Sequence, residues 1–164
     1  MLLSEQAYQK IDRELTKFPD DRKRSAILAS LIIAQDEKHW ISPDVIEDVA
    51  TYLGVPPIAV QEVASFYNML NIKPTGRYKL TVCTNLPCAL RNGEKAVEHL
   101  KQALSVDLNE ISADGLFTVI EGECMGACGD APVVLVNNKQ MCVRMSDEKL
   151  DAMIAELKQH GEPA

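Results

Sequence analysis

The sequence predicts a chain of mixed class, α+β or α/β, in which an N-terminal helical bundle precedes an α/β domain with a mixed four-stranded sheet. Three observations lead there. Residues 1–74 carry apolar side chains at helical spacing and give no strand signal. At Lys73-Pro74-Thr75-Gly76 the pattern changes to short, β-rich runs. Those runs follow the order strand, helix, strand, hairpin, helix, which pairs two strands in parallel and two antiparallel. The predicted domains are 1–74, with about four helices, and 75–164.

In the first helix, over 5–17, Ala7, Tyr8, Ile11 and Leu15 share one face, and Pro19 follows its end. A second helix over 22–38 sets Ala26, Ile27, Ile33 and Ala34 inward. Ser42 with Pro43 opens a third, which Gly54 closes. Pro56-Pro57 opens a fourth over 58–69, with Val60, Val63, Ala64 and Tyr67 inward. In the second half, YKLTV alternates and ends at Cys83 as a strand. A helix over 92–104 leads to a second strand over 116–120. Strands over 133–136 and 139–143 flank Asn137-Asn138, a turn pair that tolerates positive φ. Ser146 is placed to cap a last helix over 147–158.

Composition removes several classes. The net charge is −7, and 1–74 holds 8 basic and 11 acidic residues, so neither half offers a phosphate-binding surface and no nucleic-acid partner is expected. The longest apolar stretch, ILASLIIA, is interrupted by Ser30 and is far shorter than a membrane span, so no direct membrane insertion is expected. The start MLLSEQAYQK lacks the form of a secretory signal. Five cysteines without such a signal point to reduced thiols rather than a disulfide framework. There is no phosphate loop, nucleotide fingerprint or general-base constellation, so no catalytic residues are assigned.

Four of the cysteines form two pairs. Four residues separate Cys83 from Cys88, three separate Cys124 from Cys128, and thirty-five lie between the pairs. Four thiolates hold a metal centre well, and each loop offers two sulfurs. The spacing matches neither the usual zinc knuckle nor the plant-type iron–sulfur run, so zinc and iron–sulfur both stay open on spacing alone. Parallel strands end on one edge of a sheet, so topology brings the loops 84–90 and 122–131 side by side. Gly122, Gly126 and Gly129 around the second pair allow unusual backbone angles and bring N–H groups close to sulfur. Cys142 lies in the last strand and reads as a small apolar residue. His39, His99 and His160 lie outside both loops.

CTNLPCALRNG followed by ECMGACGDAPVVLVN resembles the thioredoxin-like [2Fe-2S] ferredoxin component of NADH:quinone oxidoreductase, respiratory complex I. The shared pattern is Cys83, Cys88, Cys124 and Cys128, with Gly126, Ala131 and Pro132. LGVPPIAVQEVASFYNML and HWISPDVIEDVATYLG resemble its N-terminal helices. The resemblance implies a thioredoxin-like second domain and one [2Fe-2S] cluster bound by the four cysteines. It implies partners as well: the FMN- and NADH-binding flavoprotein and other components of the peripheral arm. FMN and NADH would sit on that flavoprotein. The location it implies is cytoplasmic, on the peripheral side of the bacterial inner membrane.

Four thiolates and the oxidised core sum to −2, and reduction to −3. With Glu121, Glu123 and Asp130 nearby a low potential is expected, against a plant-type reference of about −400 mV. The implied activity, NADH oxidation, belongs to the assembly and not to this chain alone. An equivalent diaphorase component of an NAD-linked hydrogenase or formate dehydrogenase is the alternative assembly. A structural zinc protein is a further alternative. A dithiol oxidoreductase would carry Cys-x-x-Cys, which neither pair has.

Overall fold

In the computed structural model, which describes residues 1–161, apolar positions at helical spacing fold into four helices in the unit Met1–Pro74. They are α1 (Glu5–Leu15), α2 (Ile27–Lys38), α3 (Pro43–Leu53) and α4 (Pro57–Phe66). Ser4 caps α1 through Ala7 N–H at 3.2 Å, and Ser42 caps α3 through Val45 N–H at 3.2 Å. Gly54 ends α3 at φ 66°, a left-handed angle that costs glycine little. The core of this unit gathers Ile11, Ile27, Leu31, Val45, Val49, Leu53 and Val60.

Three expectations for these helices need correction. The second helix does not begin at residue 22: Asp20–Ala26 is a 3₁₀ segment with Arg22 off helical angles, and the α-helix starts at Ile27. Its buried side is Ile27, Ser30, Leu31 and Ala34, while Ile33 is half-buried. Ser30 is tolerated inside because its hydroxyl donates to Ala26 O at 2.8 Å. The fourth helix stops at Phe66, since Tyr67 turns to extended angles, and Tyr67 is exposed rather than inward.

A second unit starts at Thr75. Its sheet has the order β2-β1-β3-β4, from β1 (Tyr78–Cys83), β2 (Phe117–Gly122), β3 (Val133–Val136) and β4 (Gln140–Val143). Strands β1 and β2 are parallel, with Cys83 opposite Gly122. Strand β3 runs antiparallel to β1 and to β4. The β3–β4 turn takes positive φ at Asn137 and Asn138, 51° and 56°. A short helix α5 (Leu86–Ala89) follows β1. Helix α6 (Gly93–Leu104) carries the crossover between β1 and β2, and α7 (Asp147–His160) follows the hairpin. Leu80, Val82, Phe117, Val119, Val134 and Val136 meet Ala96, Val97, Leu100, Leu150, Met153 and Ile154 of the two helices in one core.

Three details differ from expectation here as well. Helix α5 forms where a loop was expected, and β2 extends to Gly122. Ser146 stands at the start of α7, but no backbone N–H bonds its side chain; its hydroxyl instead bonds the Glu148 carboxylate and lowers that pKa. Among the described residues no helix is long and apolar enough to cross a membrane.

Leu80→Ala removes a fully buried side chain at the centre of the second core. It should cost about 2–5 kcal/mol in chemical denaturation followed by circular dichroism. Ser42→Ala should cost about 1 kcal/mol by the same measurement.

Candidate metal centre

The centre is built where β1 and β2 end. Cys83 closes β1, and Cys88 is turned back toward it by α5. Cys124 lies two residues beyond β2, and Cys128 opens a single 3₁₀ turn, Cys128–Asp130. Two contacts tie the loops together. Thr84 N–H continues the parallel ladder to Gly122 O at 3.2 Å, and Asn85 Nδ2 donates to Glu123 Oε2 at 2.5 Å.

Two glycines set the backbone. A Cβ at Gly93 would lie 2.7 Å from Cys83 O and 2.9 Å from Cys88 O, so only glycine lets α6 start this close to the first pair. Gly126 holds φ 78° and aims its N–H at Cys124 Sγ, 3.4 Å away. A Cβ at Gly129 would meet nothing within 4 Å and its φ is not left-handed, so the backbone there does not require glycine.

The sulfurs pair as their sequence pairs. Cys124 Sγ and Cys128 Sγ are 3.6 Å apart. A tetrahedral ion with bonds of about 2.3 Å to sulfur sets its sulfurs about 3.8 Å apart, so this pair is spaced to share one metal. Cys83 and Cys88 share a hydrogen bond, and Cys88 also lies within electrostatic reach of Cys128. Among the described residues no three His, Cys, Asp or Glu side chains converge as ligands to a single ion do. The donor set is two sulfur pairs, carried by neighbouring loops at one edge of the sheet.

Burial divides the pairs. Cys83 and Cys88 are each 2% exposed and pack with Val133, against Met125, Ala127, Ala131 and Val143. Cys124 and Cys128 are exposed. Burial, followed by the Cys83 thiol, pushes Cys88 up to about 11, and the bond with Cys124 raises Cys128. Burial and the neighbouring thiols thus favour the protonated form of both.

The acidic surroundings are weaker than the sequence suggests. Arg144 reaches Asp130 Oδ1 at 2.7 Å through Nη2 and 2.9 Å through Nε, offsetting that charge beside Cys128. Glu123 is engaged by Asn85, and Glu121 is exposed. Sequence reasoning missed Arg144, because nothing in its spacing links it to the cysteine loop. Cys142 is half-buried in β4 and packs against the second unit's main core, with its thiol pKa raised by burial. His99 bonds Asp151 Oδ1 at 2.8 Å, between α6 and α7 and away from the sulfurs.

In the metal-free protein, iodoacetamide should label Cys124 and Cys128 first, and Cys83 and Cys88 only in denaturant. Mass spectrometry of the peptides reads the order, and equal rates at all four would contradict the burial asymmetry.

The family of thioredoxin-like [2Fe-2S] ferredoxins matches residues 11–158. NADH-quinone oxidoreductase subunit 2 of Thermus thermophilus is 36% identical over 148 residues, 90% of this chain and 82% of that protein. A component of the NADH-quinone oxidoreductase of Rickettsia bellii is 39% identical over 145 residues, 88% of this chain and 86% of that protein. Its counterpart in Rickettsia conorii is 43% identical over 125 residues, 76% of this chain and 75% of that protein. An NAD+-reducing [NiFe]-hydrogenase in the air-oxidized state shares the fold at TM-score 0.72 and 22% identity, over 83% of this chain and 23% of that one. The match spans both the helical unit and the thioredoxin-like unit with its two cysteine pairs: this chain belongs to the thioredoxin-like [2Fe-2S] ferredoxin family.

Proposed function

We propose that this chain is the electron-transfer component of an NADH:quinone oxidoreductase and holds one [2Fe-2S] cluster through Cys83, Cys88, Cys124 and Cys128. One observation carries the reading: two sulfur pairs sit on adjacent loops at the edge where parallel strands end. Three curated relatives at 36–43% identity bear the name of that enzyme's subunits and support the choice of assembly. The hydrogenase likeness is one of fold, so a diaphorase role in such an assembly is the second reading.

When bound, the cluster supplies one-electron transfer at constant geometry. The protein's part is to hold the sulfurs and set their surroundings. Cys83 and Cys88 are fixed by β1 and α5, with Val133 N–H bonding Cys88 sulfur. Cys124 is oriented by Gly126 N–H. The apolar floor of Val133, Val143 and Met125 keeps water from the first pair. The second pair stands open at the surface, where a partner's redox group can approach. That partner is the FMN- and NADH-binding flavoprotein, and the assembly sits on the cytoplasmic, peripheral side of the inner membrane. Residues 75–164 act as the cluster domain and 1–74 as the accompanying helical domain.

Cys83→Ser and Cys124→Ser should each lose or alter the visible and EPR spectra of the reduced protein, whereas Cys142→Ser should leave them unchanged. Purification with associated chains should bring down an FMN-containing flavoprotein. A hydrogenase or formate dehydrogenase component in its place would move the chain to the second reading. Colourless, zinc-loaded protein would overturn the cluster assignment.

A further inference from the structure

One residue beside the second sulfur pair holds a backbone angle that its type rarely takes. Arg144 lies just past β4 at φ 53°, in the left-handed region where a Cβ crowds the backbone and glycine is the usual choice. Its ion pair does not offset that strain. Arg144 is 72% and Asp130 44% exposed, and a pair so open adds little to stability. We propose that Arg144 is a positioning residue that acts on the centre through Asp130: pinned there, the guanidinium cancels the carboxylate's charge beside Cys128 and keeps the reduction potential from falling. This rests on the four-thiolate reading above. The step concerned is one electron passed from a reduced flavin in the assembly, or from dithionite in a test. No bond forms or breaks, and one ferric ion becomes ferrous.

The contacts join two pieces of chain. The β3–β4 ladder ends with Val133 opposite Val143, and pairing continues beyond it. Met145 N–H donates to Pro132 O at 3.1 Å, and Arg144 N–H donates to Asp130 O at 2.8 Å. Successive N–H groups of a regular strand point to opposite edges. Both reach this segment because the backbone leaves strand angles at Arg144. Those two bonds need no side chain, and a glycine would form them with the least strain. The guanidinium adds what glycine lacks: Nη2 at 2.7 Å and Nε at 2.9 Å, both on Asp130 Oδ1. Asp130 closes the single 3₁₀ turn that Cys128 opens. At about 2 Å of rise per residue they lie about 4 Å apart along that turn, well inside the ~10 Å over which salt screens a charge. The pair therefore presents no net charge to the sulfurs, where a bare carboxylate would oppose an added electron. Of Glu121, Glu123 and Asp130, only Asp130 has a cation on it among the described residues. Water around both exposed groups weakens the field but does not change its sign.

EPR-monitored dithionite titration of the reconstituted full chain tests this, because a bond that only held the turn would not follow the sign of a charge. Arg144→Gln should lower the midpoint, and Asp130→Asn should raise it. The double variant should return close to the parent. Arg144→Lys, which keeps the charge and loses the guanidinium geometry, should also stay close to it. An unchanged or raised midpoint in Arg144→Gln overturns the proposal, as does a double variant that falls as far as Arg144→Gln. Should Arg144→Gln take up no cluster, Asp130→Asn decides alone, and a midpoint that does not rise overturns the proposal. The parent chain separates the two levels of failure. A binuclear signal whose midpoint ignores both substitutions leaves the cluster reading standing and overturns this proposal. No binuclear signal in the parent overturns both.

Discussion

The parallel pairing of β1 with β2, with Cys83 opposite Gly122, is the constraint on which the centre depends. Parallel strands cannot be joined by a tight turn, so a crossover must leave one strand end and return to the far end of the next. Here α6 makes that return. Its consequence is that both cysteine loops leave the sheet on the same edge, although thirty-five residues separate the pairs. The ladder then runs one step past the strands, through Thr84 N–H to Gly122 O, and Asn85 bonds Glu123. A slip of one residue in this register would turn the Cys83 side chain to the other face of the sheet and part the sulfurs.

Local sequence serves this geometry at a few positions. Gly93 allows the crossover helix to begin against the carbonyls of the first pair, and Gly126 turns its N–H toward Cys124. The centre is thus seated between a firm floor and an open rim. The floor is continuous with backbone that the sheet already orders, and the rim is made of loop. Without metal, Cys88 is held as a thiol by burial, so a metal bound there would displace its proton.

Much of this was legible in the residues. Alternation in YKLTV and the Asn137-Asn138 pair pointed to the strands and hairpin, and the order strand, helix, strand pointed to the shared edge. The helical N-terminal part came through apolar spacing and the thioredoxin-like second domain through the resemblance of the cysteine loops, and this is the fold found. What failed to show was set by tertiary contacts. The 3₁₀ segment Asp20–Ala26 reads as part of a helix over 22–38, and the burial of Ser30 rests on its bond to Ala26 O, which the apolar pattern does not record. Helix α5 is four residues long, too short for any periodic signal. The difference in exposure between the cysteine pairs, and the Arg144 contact with Asp130, depend on which chain segments lie over each sulfur, and spacing carries no record of that.

The central claim is that the two sulfur pairs hold two metals as one centre. Iron K-edge X-ray absorption on the protein as purified tests this most directly, together with iron and acid-labile sulfide analysis. The account predicts an all-sulfur first shell, a short iron–iron vector, and two irons with two sulfides per chain. A shell without an iron–iron vector, or a single zinc ion per chain with no sulfide, would contradict it.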